Sequence, residues 1–258
     1  MKIGVIGLGY VGLPLVCNFL RCGKTVYGFD IDKAKIKNLR KKKLYIDLDK
    51  RHKKIFNNSK NFYPFSSFNK ISEVEYIVIC LPTPLKNNKP DLSYVTTTIK
   101  NIYKFLVNEQ SIVLESTTYP GSTDKFIINF LRKKNFIDGK NIFVGYSPER
   151  EDPGNKKFIN YNIPKIIGAN NSNSLNKIRK LYSNCFKKIV TVEDIATAEA
   201  VKITENVYRC INIALVNELK IIFSKIGIDI WKVIEAAKTK PFGYQSFYPG
   251  QDKKIDNQ

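Results

Sequence analysis

The first fourteen residues, MKIGVIGLGYVGLP (1–14), decide the fold. Gly7, Gly9 and Gly12 stand in GxGxxG spacing between an apolar run typical of a strand and the start of a helix-like segment. In such a unit the first glycine allows a tight turn, the second lets a diphosphate approach the backbone, and the third lets the helix pack closely on the strand. The N–H groups of the helix N-terminus then face the phosphates. The stretch therefore predicts a dinucleotide-binding βαβ unit rather than a glycine-rich turn without function.

An acidic residue supports this interpretation. Asp30 ends the second apolar run, where a carboxylate accepts hydrogen bonds from both hydroxyls of an adenosine ribose. The same charge would repel a 2′-phosphate, so NAD is predicted as the cofactor rather than NADP. Lys35 follows on the next segment and is either within reach of the ribose and phosphates or an ordinary surface lysine.

Further apolar runs alternate with helix-like segments, which is typical of a parallel sheet with helices on both faces. The predicted strands are 2–7, 25–30, 76–81, 111–116, 142–146, 165–168 and 189–192. From about residue 194 to 226 neither Gly nor Pro interrupts the helical spacing, which predicts one long helix ending at Gly227 and a short helix over 228–238. The predicted fold class is α/β, a doubly wound Rossmann-type parallel sheet followed by a long connecting helix. The predicted domains are 1–193, 194–240 and 241–258.

Composition excludes several classes of protein. The net charge of +20 attracts polyanions, but the basic stretch 33–54 lacks the interleaved aromatic residues of a single-strand binder, so we interpret it as a solvated helix face. No apolar run reaches the ~18 residues of a membrane span, and the start has no signal-peptide pattern; we expect a cytoplasmic protein. The five cysteines form no CxxC or Cys/His cluster, so we expect reduced thiols that serve as packing residues. His52, the single histidine, lies in the basic stretch, which argues against histidine acid/base catalysis.

Four further motifs lie where a doubly wound fold binds its ligands, after strands or on the long helix. They are CLPTP (80–84), ESTTYPG (115–121), SPEREDPG (147–154) and VKITENVYR (201–209). Lys202, Asn206 and Arg209 stand at i, i+4 and i+7, so one helical face presents two cations and an amide. Each motif alone also has an ordinary structural explanation as a rigid loop, a helix cap or a surface.

Taken in order, these motifs resemble the UDP-glucose/GDP-mannose dehydrogenase family, from residue 1 to about 250. The SPER form of the fourth motif resembles the branch that acts on UDP-N-acetylhexosamines. The resemblance implies an NAD-dependent oxidoreductase of polysaccharide biosynthesis. Such an enzyme converts the C6 alcohol of a UDP-sugar into a carboxylate in two hydride transfers, through an aldehyde and a cysteine thioester. It also implies a homodimer formed through the long helix.

The resemblance assigns roles to single residues. Lys202 matches the lysine that stabilises the developing alkoxide and Asn206 the hydrogen-bond donor beside it; Glu149 matches the acid/base carboxylate and Thr117 the threonine that positions water. The residues matching NAD contacts, besides the three glycines, are Tyr10, Val11, Asp30, Lys35, Thr83 and Thr117. The residues matching substrate contacts are Glu149, Arg150, Lys202, Asn206 and Arg209. The resemblance requires neither a metal nor a histidine base.

The resemblance fails after FYPG (247–250). In the family a glycine-rich GGHC segment with the nucleophilic cysteine follows, and then a third domain; here the sequence reads QDKKIDNQ. We therefore expect a truncated form that binds NAD but does not complete the four-electron oxidation alone, and a separate chain that supplies the remainder. We also expect dimerisation through the apolar stripe of Ile203, Val207 and Ala214.

Two alternatives remain open at this point. A 3-hydroxyacid or 6-phosphogluconate-type dehydrogenase also carries Lys and Asn four apart on a helix after a Rossmann domain. A non-catalytic NAD-binding or nucleic-acid-binding protein is favoured by the charge of +20 and by the missing nucleophile. Substrate trials with 3-hydroxy acids and UDP-sugars distinguish the first alternative, and the salt dependence of nucleic-acid binding tests the second.

Overall fold

The computed structural model describes residues 1–150 and 162–250. Residues 151–154 of the SPEREDPG motif and residues 251–258 of the predicted tail lie outside the described part. The chain divides into two compact units, Met1–Lys202 and Ile203–Gln258. The three predicted domains, with their boundaries after 193 and 240, stay a prediction.

The first unit is built on one mostly parallel sheet, which confirms the predicted fold class. Over the described residues the sheet has eight strands in the order β10-β9-β8-β7-β4-β1-β2-β3, and β5 and β6 form a small separate hairpin. The strands are β1 Lys2–Ile6, β2 Thr25–Phe29, β3 Phe62–Phe65, β4 Tyr76–Ile79, β5 Leu85–Lys86, β6 Lys89–Pro90, β7 Ser111–Leu114, β8 Phe143–Tyr146, β9 Lys165–Gly168 and β10 Ile189–Val192.

Helices connect the strands and cover both faces of the sheet. The α-helices are α1 Gly12–Arg21, α2 Lys33–Arg40, α3 Lys50–Asn58, α4 Ser93–Ile102, α5 Asn129–Arg132, α6 Ser172–Tyr182, α7 Ile195–Lys225 and α8 Ile230–Ala237. Short 3-10 turns cover Ile71–Glu73 and Tyr103–Phe105, and a π-helical turn, Asp124–Ile128, precedes α5.

Alternating strand residues fill two separate hydrophobic cores. Val78 and Val113 pack in one core with α1 and α6, whereas Ile79 and Leu114 pack in the other with α4 and the first turn of α7. Both faces of the central strands are therefore buried, which explains their continuous Val and Ile runs. Each fully buried side chain of this size contributes about 1.5–3 kcal/mol.

Two parts of the sheet differ from the prediction. Strand β3 was missed because Pro64 interrupts its pattern; proline is compatible with an edge strand, and β3 is the edge of the sheet. Strand β9 was predicted in a parallel sheet, but it meets β8 antiparallel at the single pair Tyr146 and Gly168, and only β10 runs parallel to it. A Cβ atom on Gly145 would lie 2.7 Å from the Gly168 carbonyl oxygen, so the two strands approach closely through glycines.

The second unit contains most of α7 and all of α8. Helix α7 ends two residues before Gly227, and α8 begins after Asp229, whose side chain accepts a hydrogen bond from the Trp231 N–H at 2.9 Å. Tyr248 stacks on Trp231 with ring centroids 5.8 Å apart. Both helices agree with the prediction. No helix within the described ranges is long and apolar enough to cross a bilayer.

The predicted role of the cysteines is only partly correct. Cys17, Cys80 and Cys185 are buried, as expected of packing residues, and Cys22 is partly exposed. Cys210 is exposed, so the prediction that it packs in a core is wrong for this chain. Helical spacing placed Cys210 on the apolar face correctly, but that face of α7 is itself exposed.

Candidate active site

The glycine loop lies at the carboxyl end of β1, where adjacent parallel strands of an open sheet form their ligand crevice. Gly7 adopts φ +89°, and a Cβ atom there would lie 2.5 Å from the Cys80 carbonyl oxygen. A Cβ atom on Gly12 would lie 1.9 Å from the Gly7 carbonyl oxygen. Gly9 differs, because a Cβ atom there would meet nothing within 4 Å. The loop therefore packs tightly at Gly7 and Gly12, where a side chain has no room, and is open at Gly9.

Helix α1 begins directly after this loop. Its N-cap residue, Val11, makes no side-chain capping hydrogen bond, which leaves the positive end of the helix available to an anion. Tyr10 beside it is 72% exposed.

Asp30 faces this loop from the end of β2. Its carboxylate accepts hydrogen bonds from the Leu8 N–H at 3.1 Å and from the Asp32 N–H at 3.0 Å. The Lys35 ammonium lies 3.9 Å from the same carboxylate and 5.5 Å from the centroid of the Tyr45 ring. The backbone thus fixes the direction of the carboxylate, and Lys35 lies beside it. The predicted contact of Lys35 with NAD stays a prediction.

These residues fit a dinucleotide. Gly9 leaves room for a diphosphate beside an uncapped helix N-terminus, and Asp30 offers a fixed acceptor for ribose hydroxyls on the adjacent strand. Within the described residues no group of His, Cys, Asp and Glu is arranged to hold a metal ion.

The loops after β4 and β7 are tied together. The Thr83 hydroxyl donates to the Thr117 carbonyl oxygen at 2.7 Å, and the Leu81 N–H donates to the Ser116 hydroxyl at 2.9 Å. Thr117 itself is exposed. The structure therefore brings these two predicted threonines together at the same edge of the sheet as the glycine loop.

Glu149 and Lys202 also meet, through the carbonyl oxygen of Glu149. The Lys202 ammonium donates to the Glu149 carbonyl oxygen at 2.5 Å. The Glu149 carboxylate accepts from the Arg150 N–H at 2.8 Å, and the Arg150 guanidinium donates to the Pro164 carbonyl oxygen at 2.8 Å. Asn206 and Arg209 lie farther along α7, in the second unit, and their predicted contacts stay a prediction.

Behind Glu149 lies a buried ionic group that we call the Lys165 cluster, formed by Glu115, Glu149, Lys165 and Tyr182. The Lys165 ammonium lies 2.8 Å from the Glu115 carboxylate and 3.6 Å from the Glu149 carboxylate. The Tyr182 hydroxyl donates to Glu115 at 2.5 Å, and its ring centroid lies 5.2 Å from the ammonium. One buried cation therefore lies between two carboxylates.

Burial and charge shift the pKa values in this cluster. Burial raises the pKa of Glu115 above its ordinary value, and the neighbouring Lys165 only partly opposes this shift. Burial disfavours the charged form of Lys165, but Glu115 and Glu149 more than compensate and raise its pKa. Lys165 is therefore held as an ammonium.

The thiol that lies among these charges is Cys80. Burial first, and the negative charge of Glu115 second, raise the pKa of Cys80 well above its ordinary value. Cys80 is therefore held as a neutral thiol, which is a poor nucleophile.

Another carboxylate, outside the Lys165 cluster, fixes the loop after β7. Glu199, in the first turns of α7, is fully buried. It accepts hydrogen bonds from the Gly121 N–H at 2.6 Å, the Thr123 N–H at 3.0 Å and the Ser122 and Thr123 hydroxyls at 2.8 and 2.7 Å. Helix α7 thereby holds the loop that carries Thr117.

Sequence reasoning missed Glu115, Lys165, Tyr182 and Glu199 as site residues. Glu115 and Tyr182 are 67 positions apart, so no local spacing indicates their contact. One signal was available: Lys165 is a single charge opening the apolar strand KIIG, and a buried lysine requires an anionic partner.

Comparison with known proteins identifies a family that matches both parts of the chain. The sequence profile of the UDP-glucose/GDP-mannose dehydrogenase family, NAD binding domain, matches residues 1–186. The profile of the same family's central domain matches residues 196–252. The predicted cofactor, NAD, is thus confirmed at the level of the family, whereas the individual predicted NAD contacts stay a prediction.

Similar proteins carry related names. The chain is 37% identical to Protein CapL of Staphylococcus aureus, over 96% of this chain and 58% of that protein. It is also 37% identical to the UDP-N-acetyl-D-glucosamine 6-dehydrogenase of Salmonella typhi, over 97% of this chain and 59% of that enzyme.

A solved structure is similar as well. The UDP-D-ManNAc dehydrogenase of Pyrococcus horikoshii superposes with a TM-score of 0.89 at 31% identity, over 97% of this chain and 60% of that one. The chain therefore spans about three fifths of the length of these relatives. The matches to both profiles, in the same order as the motifs in the sequence, show that the chain belongs to the UDP-glucose/GDP-mannose dehydrogenase family.

Proposed function

We propose that this chain carries the NAD site and the acid/base and lysine groups of a UDP-N-acetylhexosamine 6-dehydrogenase. The observation that carries the proposal is the convergence, at one sheet edge, of the open Gly9 loop with Thr117, Glu149 and Lys202. The names of the Salmonella typhi and Pyrococcus horikoshii relatives support this substrate class. Because these relatives are longer, we assign the complete activity to this chain together with any segment that completes it.

We infer that the α1 N-terminus and the Gly9 loop bind the diphosphate and that Asp30 binds the adenosine ribose. NAD, when bound, supplies the hydride acceptor. The proposed task of the Lys202 ammonium is to stabilise negative charge on the substrate oxygen, while Glu149 takes or returns a proton. Asn206 and Arg209 are proposed to hold the sugar nucleotide, and Arg150 to orient Glu149.

The thiol required for the second oxidation is not assigned to Cys80. A buried neutral thiol neither reaches an aldehyde carbon nor ionises readily. We therefore expect Cys80→Ser to leave substrate-dependent NADH formation unchanged, and a loss of that activity in a folded variant would contradict this assignment.

A binding experiment tests the cofactor half of the proposal. Calorimetry should register NAD binding by the chain and at least tenfold weaker binding of NADP, because Asp30 repels a 2′-phosphate (about 1.4 kcal/mol). Absence of NAD binding by folded protein would contradict the proposal.

The substrate half requires a second assay. NADH formation should depend on UDP-N-acetylglucosamine or UDP-N-acetylmannosamine, measured with the chain alone and with the product of any adjoining reading frame. The variant Lys202→Ala should lose this activity and keep NAD binding. Lys225→Ala, at the other end of α7, is the matched control and should keep both. Activity with 3-hydroxy acids in place of UDP-sugars would overturn the substrate assignment.

We also propose that α7 associates with α7 of a second copy. The side chains of Val207, Ile211, Leu215 and Ile222 are exposed, with Ile211 at 61%, and their spacing places them on one helical face. An exposed apolar stripe of this kind is typical of an association surface. Sizing in solution should give a dimer that Ile211→Glu dissociates, whereas Lys225→Glu should not.

A further inference from the structure

Two thiols that are distant in sequence lie together at the opposite end of α1 from the glycine loop. Cys22 is the C-cap residue of α1, and Cys185 lies between α6 and β10. The Arg21 guanidinium donates to the Cys185 carbonyl oxygen at 2.6 Å, and the Cys22 thiol lies 3.3 Å from the Asn184 carbonyl oxygen. Two independent contacts thus hold the two segments side by side.

The two thiols lie within hydrogen-bonding reach of each other, and their pKa values shift in opposite directions. A hydrogen bond from Cys185, assisted by the cations Arg21 and Lys24, lowers the pKa of Cys22 to about 7 although burial opposes this shift. The hydrogen bond to Cys22 and burial raise the pKa of Cys185. Cys22 is partly exposed, whereas Cys185 is buried behind it. A partly exposed thiol that ionises near neutral pH therefore has a second, buried thiol beside it, which is the arrangement of an attacking and a resolving cysteine.

We propose that Cys22 and Cys185 form a peroxide-reactive thiol pair that closes to a disulfide. The Cys22 sulfur attacks one oxygen of hydrogen peroxide, the O–O bond breaks, and a sulfenic acid and water form. The Cys185 sulfur then attacks the Cys22 sulfur, the S–O bond breaks, and a second water leaves. Two thiols lose two electrons and two protons, and one peroxide becomes two waters. The inference does not depend on the proposed dehydrogenase activity.

The full chain itself tests the proposal. After treatment with stoichiometric hydrogen peroxide at neutral pH and alkylation, peptide mass mapping should show a Cys22–Cys185 linked peptide and alkylated Cys17, Cys80 and Cys210. Reduction should restore five alkylated cysteines. A folded protein that yields no such linked peptide, or that instead links two copies through Cys210, would overturn the proposal.

Variants resolve the order of the steps. Cys185→Ser should stop the reaction at a Cys22 sulfenic acid that dimedone traps, and Cys22→Ser should abolish both the adduct and the disulfide; Cys210→Ser is the matched control and should behave like the parent chain. In the unsubstituted protein the alkylation rate of Cys22 should reach half its maximum near pH 7, a measurement that needs no variant to fold. Half-maximal alkylation near pH 9, the ordinary thiol value, would overturn the assignment of Cys22 as the attacking group.

Discussion

The glycine loop and the Lys165 cluster occupy the same edge of one sheet, but the loop is formed by backbone groups and the cluster by side chains. The loop consists of backbone: Gly7 and Gly12, where a Cβ atom would collide, the open position Gly9, and a helix N-terminus without a side-chain cap. The cluster consists of side chains: a lysine from β9, two glutamates from the ends of β7 and β8, and a tyrosine from α6. A short sequence motif predicts the backbone site. The side-chain site depends on residues that are distant in sequence and meet only when the whole sheet has formed.

The largest expected effect comes from removing the cation of the cluster. Lys165→Met leaves Glu115 and Glu149 without their buried counter-ion, so the free energy of unfolding should fall by about 3–5 kcal/mol. The surface pair of Lys177 and Glu109 is the matched control, and Lys177→Met should cost about 1 kcal/mol or less. Denaturant unfolding measures the loss of stability in both variants. If Lys165→Met and Lys177→Met lose the same free energy of unfolding, the cluster has no special electrostatic role.

The pH dependence of that variant sharpens the comparison. In the parent chain the pKa of Lys165 is raised above 10.5, so its contribution to stability is present below that pH and is lost as pH rises through the folded-state value. The pKa of Glu115 is raised above 4.5 and should rise further without Lys165. The defect of Lys165→Met should therefore diminish as pH falls and Glu115 is protonated. A defect of constant size from neutral to acid pH would contradict this explanation.

Two glycine substitutions probe the backbone region. Gly12→Ala places a methyl group 1.9 Å from a carbonyl oxygen, so we expect a loss of about 1–3 kcal/mol in the free energy of unfolding and a loss of NAD binding. Gly9→Ala meets open space and should unfold like the parent chain while binding NAD more weakly. Thermal unfolding with NAD titration separates the two effects. If Gly9→Ala unfolds at the same temperature as Gly12→Ala, the distinction between the closed and open positions is wrong.

A smaller effect, on NAD binding, is expected at Asp30. This side chain lies beside the glycine loop and is the proposed ligand of the ribose. Asp30→Asn should weaken NAD binding about tenfold, or 1.4 kcal/mol, and reduce the preference over NADP. Asp32→Asn is the control, because Asp32 caps α2 by accepting from the Ala34 and Lys35 N–H groups, and asparagine is an equally good cap. If calorimetry finds the same loss of NAD affinity for both variants, the proposal that Asp30 binds the ribose is wrong.

The smallest effect is expected at His52, a buried histidine outside both regions that pairs with the exposed Asp49. Burial lowers the pKa of His52 below 6.5 although Asp49, 2.8 Å away, opposes the shift. The unfolded chain then binds the proton more readily, so this stability is present above pH 6.5 and is lost as pH falls through the folded-state value. His52→Gln should change stability by about 1 kcal/mol or less and flatten this dependence. If the free energy of unfolding depends on pH in the same way in the parent chain and in His52→Gln, this explanation is wrong.

The sequence predicted the features that depend on local patterns. The glycine spacing, the strand containing Val78 and the end of α7 before Gly227 are each specified within a few residues, and all are confirmed. Strand β3 was missed because Pro64 masks its pattern, although an edge position tolerates proline. The contact of Glu115 with Lys165 was missed because it joins residues 50 positions apart.

The reversal of β9 has a consequence for anyone who wishes to isolate a minimal cofactor-binding fragment. Since β9 runs against β8, its first residue, Lys165, lies beyond the carboxyl end of β8, near Glu115 and Glu149, which follow β7 and β8. A fragment ending at Tyr146 would keep the six parallel strands and the whole glycine loop but leave Glu115 without its cation. Such a minimal domain should therefore need a neutral residue at position 115 in order to fold.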